Sequence, residues 1–137
     1  MKKTSILVKL VLVLVFVIFS QNCSSASTST PESTVKLYFS SLNDNDVDSM
    51  SSCLIPEVRA EMLASYEVSP EGIGNITYVN VKTNLISMDD DKAEVYVEFD
   101  LRIYIMGEAM TDYEAATAQL EKRGTEWLIA DFDKVHQ

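Results

Sequence analysis

The chain has 137 residues, 21 of them acidic against 11 basic, for a net charge of −10, with one His and two Cys. That charge repels phosphate backbones, because non-specific nucleic-acid binding depends on clustered Lys and Arg, so nucleic acid is excluded as a partner. The sole histidine, His136, stands next to the last residue, which excludes a multi-His metal centre and gives Cys53 no nearby partner for a Cys-His nucleophile.

Lys2, Lys3 and Lys9 lead into an unbroken apolar run from Leu10 to Phe19, and polarity returns at Ser20-Gln21-Asn22. A charged start, an apolar stretch and a polar exit make a secretion signal, so residues 1–22 are assigned to a signal peptide and the protein to export. The run falls short of the roughly 20 apolar residues of a spanning helix. Loss of the three signal lysines takes the net charge from −10 to −13. Cys23 follows the apolar run and opens a Ser/Thr-rich tether over residues 23–30. This arrangement resembles the bacterial lipoprotein signal, which implies lipidation of Cys23 and attachment to the membrane of the cell envelope. It departs from the usual lipobox, since Ser20 stands in place of a Leu-like residue and Asn22 in place of a small one. Cleavage after Ala26, giving a soluble secreted or periplasmic protein, is the alternative. A disulfide between Cys23 and Cys53 is a third outcome in an oxidising compartment.

Residues 31–137 are close to the commonest domain size, and one domain is expected. Ser29 and Thr30 offer N-caps, Pro31 suits a first helical turn and Glu32 complements the dipole there. Val35, Tyr38, Phe39 and Leu42 then recur at helical spacing as one apolar stripe. Asn43 to Asp46 end that helix, and Asp46 caps a short second one carrying Val47, Met50, Cys53 and Leu54. Pro56 opens a third, Glu57 to about Tyr66, with Val58, Met62 and Tyr66 aligned; Ser69, Pro70, Gly72 and Gly74 mark a loop.

From Ile76 the period becomes alternating. The clearest strand is Ala93 to Met106, whose odd positions Ala93, Val95, Val97, Phe99, Leu101, Ile103 and Ile105 are apolar while the even ones are mainly polar. That is a half-buried strand with its odd face inward. Ile76 to Ser87 pairs with it across the Met88 to Lys92 turn, and Thr111 to Lys122 pairs with Glu126 to Asp133 across Arg123-Gly124-Thr125. Two to three helices followed by four antiparallel strands make an α+β layer. The longest strand exceeds the usual length of about 3–10 residues, so the sheet must twist and bend.

The opening Thr30-Pro31-Glu32-Ser33-Thr34-Val35-Lys36-Leu37-Tyr38-Phe39, a Pro-capped helix with paired aromatics, leads through Asn43 to Asp48 into Met50 to Leu54. The closing Gly124-Thr125-Glu126-Trp127-Leu128-Ile129 places a Trp after a tight turn. Together these segments resemble the NTF2-like (cystatin-like) superfamily, and in particular its small exported bacterial domains, from about Thr30 to Asp133. The resemblance implies a cone in which the helices pack on a curved four-stranded antiparallel sheet around a pocket. It selects no single activity, because that superfamily hosts enzymes, ligand carriers and transport factors.

Within this resemblance Tyr38 is similar to the opening-helix tyrosine that ketosteroid isomerases use as an oxyanion donor, a role that also needs a carboxylate base. The odd face of the long strand carries no acid, and nothing in the spacing selects Asp112, Asp131 or Asp133 as inward. Tyr38 is therefore expected to fill core volume, and no catalytic residue is assigned. The expected pocket is lined by Tyr38, Phe39, Leu42, Val97, Phe99, Leu101 and Trp127. Asp44, Asp46 and Asp48 alternate like the start of a calcium loop, but Ser49 and Ile55 stand where such a loop needs Gly and Glu. Asp89-Asp90-Asp91 reads as a solvated turn, and Asn75-Ile76-Thr77 matches a glycosylation acceptor. No cofactor or metal is expected. The reading is a non-enzymatic, membrane-anchored envelope module that binds a small apolar ligand or a protein partner. A pocket enzyme of isomerase or dehydratase type is the alternative, as is a homodimer formed through Tyr96, Tyr104 and Met106 on the sheet face.

Overall fold

A computed structural model describes residues 28–68 and 76–135. The signal peptide, Cys23, the loop with Ser69, Pro70, Gly72 and Gly74, Asn75 of the glycosylation acceptor, and His136 lie outside these described residues.

Helix α1, Pro31–Asp44, begins where the sequence places it because Thr30 and Ser33 form a reciprocal capping box, with Ser33 N–H donating to Thr30 Oγ1 at 3.2 Å and Thr30 N–H donating to Ser33 Oγ at 3.1 Å. It ends at Asn45, which adopts φ 54 in the left-handed region that Asn tolerates. Asp46 then caps α2, Val47–Ser52, accepting from the Ser49 N–H at 3.1 Å and the Ser49 hydroxyl at 2.6 Å. These bonds, the hydroxyl's first, hold the Asp46 carboxyl below its ordinary range. Helix α3 is Pro56–Val68. Arg59 on its first turns donates to the Ser51 and Leu54 carbonyls at 2.9 and 3.0 Å, tying α3 to the end of α2 and the residues that follow it. No helix among the described residues is long and apolar enough to cross a membrane.

Four antiparallel strands follow in spatial order β1-β2-β3-β4: β1 Ile76–Met88, β2 Lys92–Ile105, β3 Glu108–Arg123 and β4 Glu126–Lys134. Strand β3 starts three residues earlier than the sequence suggested. The reason is a two-residue hairpin at Met106-Gly107, both with positive φ (53 and 85), which lets β2 and β3 pair without interruption from Lys92↔Glu121 to Ile105↔Glu108. Such a turn twists with its strands, and its usual Asn-Gly signature is missing here. Register shifts in β1 between Val79 and Lys82 and between Leu85 and Ser87 break the regular ladder and bend the sheet. Asn80, with φ 55, sits at the first of them.

The core lies between α1, the α2–α3 connection and one sheet face. Val35, Phe39, Cys53 and Leu54 meet Val95, Val97, Ala118, Leu120, Trp127 and Ile129 there. Thr34 is fully buried, and its hydroxyl donates to the Trp127 carbonyl at 2.8 Å, which fixes α1 against β4. Residues Cys53 to Ile55 run beside β4, with Ile129 N–H donating to the Cys53 carbonyl at 2.7 Å and Ile55 N–H to the Ile129 carbonyl at 2.9 Å. Thr28 covers the same edge, accepting from Trp127 N–H at 2.8 Å. The first half of that edge, Trp127 to Ile129, is thereby closed to further strands. On β1, Asn43 at the end of α1 pairs with both backbone groups of Tyr78, at 2.7 and 2.8 Å.

The inward row of β2 behaves as expected only as far as Val97. Ala93, Val95 and Val97 are buried, Phe99, Leu101 and Ile103 are half-buried, and Ile105 is 51% exposed. Helix α1 ends level with the Tyr78–Leu101 pair, so α1 does not reach over the last apolar residues of β2.

Candidate functional site

A cleft of about 220 Å³ opens at the margin of that core, between α1 and the sheet. Helix α1 contributes Tyr38, Phe39 and Leu42 as its roof. The floor is Tyr78 of β1, Phe99 of β2, Ala115 and Ala116 of β3 and Phe132 of β4, with Glu114 and Lys134 at the rim. Helical spacing explains the roof, because residues 38, 39 and 42 face the same way one turn apart. Strand register explains the floor: Phe99 stands opposite Glu114, Val97 opposite Ala116, and Ala116 opposite Lys134, so these share one face.

Phe39 is the centre of the ring cluster. Its centroid lies 4.9 Å from Phe99, 5.3 Å from Tyr78, 5.4 Å from Tyr38 and 6.1 Å from Phe132, while Tyr38 and Phe132 are 5.4 Å apart. The Phe39 contacts with Tyr38, Tyr78 and Phe132 are edge-on, the arrangement that aromatic quadrupoles favour. Burial pushes the Tyr38 phenol up to about 12, reinforced by nearby Tyr78 and Cys53. Burial also raises Tyr78.

The neutral Tyr38 phenol thus supplies stability that is complete below its unfolded value of 10 and declines as pH rises from there through 12. Tyr38→Phe, which keeps the ring and removes the proton, is expected to flatten this alkaline loss in a series of thermal melts. Identical profiles for both proteins would show that Tyr38 ionises freely in the folded state.

Of the residues that the sequence assigned to a pocket, Tyr38, Phe39, Leu42 and Phe99 line this cleft. Val97 and Trp127 do not: both are buried in the core, in the cluster that Val35, Phe39, Cys53 and Leu54 form with the sheet. Leu101 is half-buried beyond the cleft on the uncovered part of β2. Glu114 and Lys134 were not anticipated. Their signal was the alternation of Leu120, Ala118 and Ala116 along β3, which continues to Glu114 on the same face. Neither charge has an ion-pair partner among the described residues. Asp112 shares the face of Leu101 but is exposed, Asp131 accepts from the Phe132 N–H, and Asp133 faces Gln119 on the other side.

Cys53 is fully buried, its thiol donating to the Ser49 carbonyl at 3.3 Å, and burial pushes it up to about 11. It is a small core hydrophobe with little thiolate at neutral pH. On the outer sheet face the Tyr113 hydroxyl donates to Glu98 at 2.9 Å, and Lys82 lies 3.4 Å from the same carboxylate. Tyr96 is half-buried there, whereas Tyr104 is 48% exposed and Met106 projects fully into solvent at the hairpin tip. No three His, Cys, Asp or Glu side chains converge on a metal site among the described residues.

No protein-family model matches the sequence, and no curated protein does. Solved structures do match in shape. A SEC-C motif-containing protein from Rhodopseudomonas palustris superposes with a TM-score of 0.63 at 16% identity, covering 80% of this chain and 82% of that one. A candidate dehydratase of the NTF2-like family from Streptomyces avermitilis gives 0.58 at 14% identity, covering 76% and 93%. An NTF2-like protein of unknown function from Shewanella oneidensis gives 0.56 at 18% identity, covering 72% and 90%. With three helices on an open four-stranded antiparallel sheet and these neighbours in shape, the chain has the NTF2-like α+β cone fold.

Proposed function

We propose that this protein is exported, lipidated at Cys23 and held on the bacterial cell envelope, where its NTF2-like module binds a small, largely apolar ligand in the cleft beneath α1. The observation that supports binding is the cleft itself, ring-lined on both sides and open to solvent at Glu114 and Lys134. At about 220 Å³ it is smaller than the ~300 Å³ lower limit of drug-sized pockets, which suits a ligand with one ring or a short branched chain. The anchor rests on the sequence of residues 1–23. The exposed Tyr104 and Met106 support a partner surface at the hairpin tip, a second copy of the chain included.

A pocket enzyme of isomerase or dehydratase type is the second reading, favoured by Glu114 and the protonated Tyr38 phenol lining one cleft. A structural neighbour described as a candidate dehydratase lends it further support.

Two substitutions separate these readings. Cys23→Ser is expected to move the protein from the membrane fraction to the soluble one, because acyl chains would be its only apolar attachment. A wild-type protein already soluble and beginning at Ser27 would sink the anchor. Tyr38→Phe leaves a binder's affinity and stability nearly intact, whereas an enzyme using the phenol as an oxyanion donor would lose on the order of 10² or more in turnover.

A further inference from the structure

Two opposite charges stand over the mouth of the ring-lined cleft, and neither is neutralised by a described neighbour. Lys134 lies opposite Ala116 across β3 and β4, and Glu114 is two residues along β3 on the same face. They are therefore diagonal neighbours, with backbones about 7–8 Å apart. Glu114 is half-buried and Lys134 exposed, so the carboxylate sits deeper and the ammonium nearer the solvent.

This pairing restricts what the cleft accepts. A purely apolar ligand would strip water from the half-buried Glu114 carboxylate and return no hydrogen bond, which costs affinity. A simple anion would be drawn by Lys134 but opposed by Glu114 and by a chain of net charge −10. A simple cation would meet Lys134. A ligand carrying one charge of each sign and an apolar body conflicts with none of these.

Resting on the cleft reading above, we infer that the ligand is a free α-amino acid with an apolar side chain: its ammonium donates to the Glu114 carboxylate, its carboxylate accepts from the Lys134 ammonium, and its side chain lies among Tyr38, Tyr78, Phe99 and Phe132. The cleft volume, about 220 Å³, leaves room for one such side chain among the rings. Charge-assisted bonds give the site its selectivity, and the rings supply most of the buried contact.

The test is calorimetric titration of the intact protein with L-phenylalanine, N-acetyl-L-phenylalanine, L-phenylalaninamide and toluene. L-phenylalanine is expected to bind about tenfold more tightly than either blocked form, the discrimination of one lost charge-assisted bond. Glu114→Gln should erase the preference over the N-acetyl form alone, and Lys134→Met the preference over the amide alone, with melting temperatures confirming that both variants remain folded. If the three phenylalanine probes bind alike, or if toluene binds and they do not, the amino-acid inference falls while the apolar cleft stands. If no probe binds, toluene included, both fall together.

Discussion

Val97→Asp is expected to unfold the domain, while Glu98→Ala, one residue away, shifts its denaturation midpoint little. Val97 is 0% exposed and lies on the inner sheet face, paired in register with Thr83 and Ala116. A carboxylate there has no cation to meet, and the Thr83 hydroxyl opposite it on β1, unpartnered among the described residues, offers at most one hydrogen bond. It must either remain charged in an apolar interior or take up a proton, and each option costs several kcal/mol, about 4 or more for a fully buried site. A domain of this size has a total stability of roughly 5–15 kcal/mol, so the substitution removes most of it. Glu98 points the other way, where Tyr113 donates to it and Lys82 lies near; these groups, Tyr113 first, hold its carboxyl below the ordinary range. The network is solvent-exposed, and water replaces it when the carboxylate is removed. Leu101→Asp should fall between the two, because Leu101 is only half-buried. Urea denaturation followed by fluorescence of the buried Trp127 reads all three. Equal losses at Val97 and Glu98 would overturn the assignment of the two faces.

Phe39→Ala carries the second large effect and links the fold to the cleft. The ring is 4% exposed and meets four other aromatic rings, so its removal deletes transfer energy and leaves a hole that rigid neighbours cannot fill. Phe-to-Ala changes of this kind cost about 3–5 kcal/mol. In a domain of this size that lowers Tm by roughly 15 °C or more. The hole would be apolar and continuous with the cleft, so added benzene is expected to restore part of the lost Tm, as it fills engineered apolar cavities elsewhere. Tyr38→Phe, which keeps its ring in the same cluster, should leave Tm nearly unchanged at neutral pH. A Phe39→Ala loss below about 1 kcal/mol would mean that the rings do not pack as a unit.

The local features were legible in the residues because each depends on near neighbours in the chain. Thr30, Pro31 and Ser33 start α1, Asp46 caps α2 through Ser49, and the alternation from Ala93 to Val97 marks a strand with one face inward. The order of helices before strands was enough to specify an α+β layer with a four-stranded antiparallel sheet. Other features depended on where elements end relative to one another, which no local pattern encodes. Met106-Gly107 turns within two residues because the flanking strands hold both in positive φ, although the pair lacks the usual turn composition. Ile105 is apolar and on the inward row, yet it is exposed because α1 stops at the level of Tyr78. Val97 and Trp127 belong to the closed core, while Phe132 lines the cleft with Tyr38, Phe39 and Leu42 of α1. Glu114 and Lys134 come together only through the registers of β2 with β3 and β3 with β4, a long-range pairing set by burial of the sheet's inner face.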